Sequence, residues 1–119
     1  MPDDRTTLAE LRAAMAQFVA ERDWGKFHSP KNLSMGLAVE AAELMEHFLW
    51  VDNDDSRRVR DDATKITEIA DEMADVACYL LALANTLEVD LSDSIFGKLI
   101  KNSQKYPIDQ YRGRYRAKE

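Results

Sequence analysis

Glu40-x-x-Glu43 and Glu72-x-x-Asp75 place two pairs of carboxylates inside stretches that otherwise read as buried helix. The first pair lies within Leu37–Met45 and the second within Ile69–Ala77, where most neighbours are Ala, Val, Leu, Ile or Met. At about 100° per residue, positions i and i+3 project from nearly the same helix face. Each pair therefore aims two carboxylates one way from an apolar background. A charge buried alone is costly, so such groups are paired, protonated or bound to a cation. Asp75 has no Lys or Arg at i±3 or i±4 to serve as a local partner. Oxygen-only donors favour Mg2+, with Mn2+ as an alternative, over zinc or copper. Set against this, acidic residues most often occupy solvated helix faces.

Other polar groups flank the acids. Glu46 and His47 extend the polar side of the first acidic helix, and Glu68 and Asp71 that of the second. His47 lies one turn beyond Glu43 and could be taken for a metal ligand. A di-iron bundle would need Glu-x-x-His on each of two helices. Neither histidine qualifies, since Gly25 stands three residues before His28 and Leu44 before His47. His47 then reads as a surface residue, and His28 as a loop residue with local hydrogen bonds. Lys98, Asn102 and Lys105 recur at i, i+4 and i+7, a face that suits phosphate oxygens or simply solvent. Trp24 and Trp50 stand near segment ends, where an aromatic plane can stack on a base or pack in a core. No P-loop, Rossmann glycine pattern or nucleophile elbow occurs.

The elements that position these groups read as helices throughout. The 119 residues suffice for a single domain over 1–119, with few glycines and prolines. A first amphipathic helix spans about Thr7 to Glu21, with Leu8, Leu11, Met15, Phe18 and Val19 on one face and Thr7 and Glu10 as a capping box. Asp23 to Asn32 reads as a loop, and Ser29-Pro30 starts a second helix running to about Trp50. Val51 to Ser56 is a polar connection. A third helix begins between Arg57 and Lys65 and continues to about Leu87. Its charged first part and all-round apolar second part imply an end in a core or subunit interface. Asp90 to Ser92 cap a fourth helix to about Lys105, which Pro107 ends, and a basic tail without periodicity follows. The expectation is an all-α bundle of four main helices.

A net charge of −6 and a pI near 4.9 argue against nucleic acid as a partner. Cys78, the single cysteine, excludes an internal disulfide, fits a reducing cytoplasm, and among Val76, Ala77, Tyr79 and Leu80 reads as a small core residue. The first residues lack the features of a signal peptide, and the longest apolar run, Val76–Ala84, is too short to span a membrane. These features lead us to expect a soluble cytoplasmic protein.

Taken as a series, the residues resemble the MazG-like all-α nucleoside triphosphate pyrophosphatases, and most of all their dCTP pyrophosphatase branch. The resemblance runs from Phe18 and Glu21-Arg22-Asp23-Trp24 through Phe27-His28-x-Pro30-x-Asn32-Leu33. It continues with Glu40-x-x-Glu43-Leu44-x-Glu46-x-Phe48-x-Trp50 and Glu72-x-x-Asp75-Val76-x-x-Tyr79-Leu80, then Val89-Asp90-Leu91, Lys98, Asn102 and Tyr106-Pro107. It implies an intertwined homodimer or a homotetramer built as a dimer of dimers, splitting a nucleoside triphosphate into monophosphate and pyrophosphate. By similarity, Glu40, Glu43, Glu72 and Asp75 hold Mg2+ against the triphosphate. Attack of water at the α-phosphorus needs a carboxylate to take its proton, and Glu43 or Glu46 is the candidate base. Trp24 and Trp50 enclose the nucleobase, and Tyr79 and Asn102 bind the sugar–phosphate part. Lys98, Lys105 and Tyr106 complete the phosphate pocket. In members dedicated to dCTP a histidine stands where this chain has Met15, which cannot donate that hydrogen bond, so a broader deoxynucleotide preference or one for modified pyrimidines stays open. A related enzyme acting on dUTP or phosphoribosyl-ATP, and a non-catalytic helical oligomer that binds nucleotide, are the alternatives.

Overall fold

The computed structural model describes residues 1–117. Its order is α1 (Leu8–Glu21), a 3-10 turn (Gly25–Phe27), α2 (Pro30–Glu46), α3 (Asn53–Arg58), a second 3-10 turn (Val59–Asp61), α4 (Ala63–Leu87), α5 (Leu91–Lys105) and α6 (Ile108–Tyr111). No strand occurs among the described residues. Two compact units divide the chain, Met1–Glu88 and Val89–Glu119.

Local chemistry sets the helix starts. The Thr7 hydroxyl accepts the Glu10 N–H, Ser29 accepts that of Asn32, Asp62 that of Lys65, and Asp90 that of Asp93. Each satisfies a donor that the first helical turn leaves open. Pro30 follows the Ser29 cap at N1, where its missing N–H costs nothing.

In the first unit α4 is the spine, with α2 packed along it and α1 against it. Leu33, Ile69, Ala82 and Ala84 are the buried apolar residues. A polar clamp joins α1 to α4. Arg12 Nε donates to Asn85 Oδ1 at 3.1 Å and Arg12 Nη2 to the Ala84 carbonyl at 3.1 Å, while Asn85 Nδ2 donates back to the Arg12 carbonyl at 3.0 Å. Position 12 is thus half-buried, whereas Leu11 and Phe18, expected on the inward face, are each 42% exposed.

Two further boundaries differ from expectation. α2 stops at Glu46, and Phe48–Trp50 continue as turns. The stretch read as a plain connection folds into α3, capped by Asp52 and braced by the pairs Arg57–Asp54 and Arg58–Asp55 at i,i+3. The second unit holds α5 and α6. α6 was unforeseen because four residues are too few to show a period.

Candidate functional site

The register of α2 on α4 brings the two acidic pairs together. Gly36 faces Tyr79, and Glu40 lies within the electrostatic reach of Asp75 and Glu72, so the helices run antiparallel. Glu40, Glu43 and Glu72 each offer one carboxylate oxygen within 4.8 Å of the others. Asp75 stands outside that trio and is exposed, yet its charge bears on both Glu40 and Glu72.

Glu40 Oε2 and Glu72 Oε2 are enclosed and have no hydrogen-bond partner. Burial pushes the Glu40 carboxyl above its ordinary 4.5. The adjoining Glu43 carboxyl pushes the same way, and the charges of Asp75 and Glu72 add to it. Glu72 is raised by burial first, then by Glu43 and Asp75, with His47 pulling in the opposite direction. Such an arrangement is unfavourable when ionised and uncompensated. Enclosed, unpartnered oxygens in an all-oxygen donor set fit a hard divalent cation, which would satisfy the orphaned atoms. Glu46, the other acid considered as a base, is exposed on the last turn of α2 and does not join the trio.

Beside the acids opens a cavity of about 390 Å³, of the size of a small-molecule site. Glu40 and Asp75 line one part, with Trp24, Phe18, Tyr79 and Met15 giving an apolar wall. Trp24 meets Phe18 edge to face at 5.8 Å. The loop that presents Trp24 is held by one backbone bond to α1 and one side-chain bond from α2. The Trp24 N–H donates to the Val19 carbonyl at 3.0 Å, and Asn32 Nδ2 to the Phe27 carbonyl at 3.1 Å. His28 also lines the cavity and is half-buried. Larger hollows of about 510 and 750 Å³ elsewhere contain none of the four acids.

Several neighbours of the acids depart from what their sequence context suggests. Cys78, expected in the core, is exposed and opens onto the cavity, which separates its stretch of α4 from Met15 and Phe18 of α1. Burial and Asp75 push its thiol above 9.0, so it stays protonated at neutral pH. His47, expected at the surface, has a side chain only 17% exposed, with Nε2 3.9 Å from Glu72 Oε1. Gly36 also shapes the site. A Cβ there would lie 2.7 Å from Tyr79 Cζ, so the phenol ring rests against α2 only because the residue is glycine. A glycine inside a helix costs about 1 kcal/mol against alanine, which was the available signal.

The remaining expected residues are Trp50 and four residues of the second unit. Trp50 is 95% exposed in the turn after α2. Lys98, Asn102, Lys105 and Tyr106 belong to the second unit, on α5 and its C-cap. There the Tyr106 N–H donates to the Asn102 carbonyl at 2.8 Å, Lys105 Nζ lies 5.4 Å from the Tyr106 ring centre, and Tyr106 meets Tyr111 edge to face at 5.1 Å.

Residues 36–117 match the MazG-like family, a span that holds both acidic pairs and α5. The chain belongs to the MazG-like family. This MazG-like chain is 37% identical over 107 residues to dCTP pyrophosphatase 1 of Mus musculus, covering 90% of the chain and 63% of the mouse protein. It is 37% identical over 101 residues to dCTP pyrophosphatase 1 of Homo sapiens, covering 85% and 59% respectively. The MazG-like chain thus spans about three-fifths of the length of those relatives. A crystal structure of a pyrophosphatase from Archaeoglobus fulgidus superposes with a TM-score of 0.79 at 33% identity, covering 90% of this chain and 98% of the archaeal one. The all-helical architecture is therefore shared with that archaeal pyrophosphatase. No helix among the described residues is long and apolar enough to cross a membrane.

Proposed function

We propose that this chain is a Mg2+-dependent nucleoside triphosphate pyrophosphatase. It hydrolyses deoxynucleoside triphosphates to the monophosphate and pyrophosphate, with dCTP or modified pyrimidine dNTPs favoured, in nucleotide-pool sanitation. The observation that carries this is the pairing of two enclosed, unpartnered carboxylate oxygens with an adjoining aromatic cavity. The names of the relatives point to the same chemistry.

Glu40, Glu43, Glu72 and Asp75 would hold the cation, which when bound supplies charge neutralisation at the triphosphate. Mn2+ suits the same donors. The chain's own residues do the rest. Water attacks the α-phosphorus, a new P–O bond forms, the bond to the bridging oxygen breaks, and pyrophosphate leaves. Glu43, exposed at the rim of the trio, is the better placed candidate to take the water's proton, and Glu46 the lesser. Trp24 stacks on the base, and Tyr79 packs against the sugar. Met15, in the cavity wall, offers the base an apolar contact and no hydrogen-bond donor.

Lys98, Lys105 and Tyr106 serve the phosphates, and Asn102 the sugar–phosphate part. Together with exposed Trp50 they complete the pocket within a homodimer or homotetramer. Exposed Leu80 and Leu87 on α4, and Phe96 and Ile100 on α5, support that assembly. The proposal takes 1–119 as one MazG-like domain acting in the cytoplasm, in keeping with its single thiol. Incubation with Mg2+ and a panel of dNTPs, dUTP and phosphoribosyl-ATP, with monophosphate and pyrophosphate quantified, tests it. Fastest turnover of a pyrimidine dNTP is expected, and binding without turnover of any member would defeat the proposal.

A further inference from the structure

Next to the acidic trio stands a histidine for which the chemistry above has no use. His47 occupies the C-cap of α2, its backbone N–H donating to the Leu44 carbonyl at 3.3 Å. Its side chain is 17% exposed and that of Glu72 is 23% exposed, with Nε2 to Oε1 at 3.9 Å. The two oxygens of Glu72 thus have different surroundings: Oε1 has the imidazole nearby, while Oε2 is enclosed without a partner. No Lys or Arg lies within ion-pair distance of Glu72, so His47 is its basic neighbour among the described residues. His47 also stands outside the group of oxygens that lie within 4.8 Å of one another. Its nitrogen faces the Glu72 oxygen other than the orphaned one, the place of a group that steadies a ligand.

We propose that His47 is a positioning residue for the cation site, holding Glu72 through Oε1 so that Oε2 stays directed at the metal. This rests on the cation site proposed above. At 3.9 Å the contact is longer than a hydrogen bond, and a small side-chain movement would close it. A carboxylate held at one oxygen enters the metal's coordination with its rotamer already chosen. Loss of such an outer hydrogen bond typically costs about 10–100-fold in metal affinity.

Mn2+ binding to the full chain without nucleotide, followed by the electron paramagnetic resonance signal of free Mn2+, tests the proposal in wild type, His47→Leu and His47→Gln. His47→Leu fills the same space without a donor and should weaken binding about 10–100-fold. His47→Gln keeps a side-chain N–H and should stay within about threefold of wild type. Wild-type affinity in His47→Leu would overturn the proposal. So would equal weakening in both variants, with circular dichroism confirming that each is folded. A folded wild-type protein that binds no Mn2+ would instead overturn the cation site itself, and the role of His47 with it.

Discussion

The ring of Tyr79 lies against the backbone of α2 at Gly36, so close that a methyl group at Gly36 would stand 2.7 Å from Tyr79 Cζ. One backbone position on α2 thus sets the place of an aromatic wall on α4, beside Glu40 and Asp75 in the same cavity.

Gly36→Ala should therefore displace Tyr79 and raise KM for a deoxynucleotide about tenfold or more, an overpacking cost of about 1–3 kcal/mol being typical. In a Tyr79→Ala background the same change should stabilise the protein, by up to about 1 kcal/mol, because only the helix-propensity gain remains. Thermal melts of the four proteins read this reversal of sign. A destabilising Gly36→Ala in both backgrounds would show that the ring is not what the glycine accommodates.

The helix starts were legible because a cap is a local event. Thr7, Ser29 and Asp90 sit within three residues of the N–H groups they satisfy. The acidic pairs were legible as pairs because i and i+3 share a face. Their convergence was not, since it depends on the antiparallel register of α2 on α4, which spacing along one chain does not state. Cys78 and His47 failed in opposite directions for one reason. Neighbours in sequence describe the segment around a residue, while exposure is decided by which side of the helix meets another element. For Cys78 that side opens onto the cavity, and for His47 the α2 terminus falls beside Glu72.

Glu40→Gln should abolish pyrophosphate release, by at least about 100-fold, while the helical circular dichroism is kept. It should also raise the melting temperature of the metal-free protein, because it removes one member of a crowd of like charges. An unchanged rate would remove Glu40 from the site. Asp75→Asn should likewise abolish activity with the helices intact, while wild-type turnover would show that its charge is dispensable.

Stability of the metal-free protein should depend on pH in a defined sense. The folded carboxyls of Glu40 and Glu72 are raised above 4.5, so their contribution is complete below pH 4.5 and is lost as pH rises through the raised values. A cation relieves the ionised form, so added Mg2+ should raise the melting temperature more at about pH 8 than at about pH 5. Equal shifts at both pH values would count against these two carboxylates as ligands.

Glu88 caps α4 in the left-handed region at φ 56°, ψ 42°, a conformation that suits glycine. Glu88→Gly should stabilise the chain by about 1 kcal/mol, some 4 °C in melting temperature, with activity unchanged. A lower melting temperature would mean that the Glu88 side chain contributes more than its backbone costs.

Hydrolysis of dCTP in 18O-labelled water, with Mg2+ present and both products analysed by 31P nuclear magnetic resonance and mass spectrometry, tests the central claim most directly. Water attack at the α-phosphorus places the label in the monophosphate and leaves pyrophosphate unlabelled. Label in the pyrophosphate, release of orthophosphate as the first product, or no turnover of dCTP or any other triphosphate would contradict it.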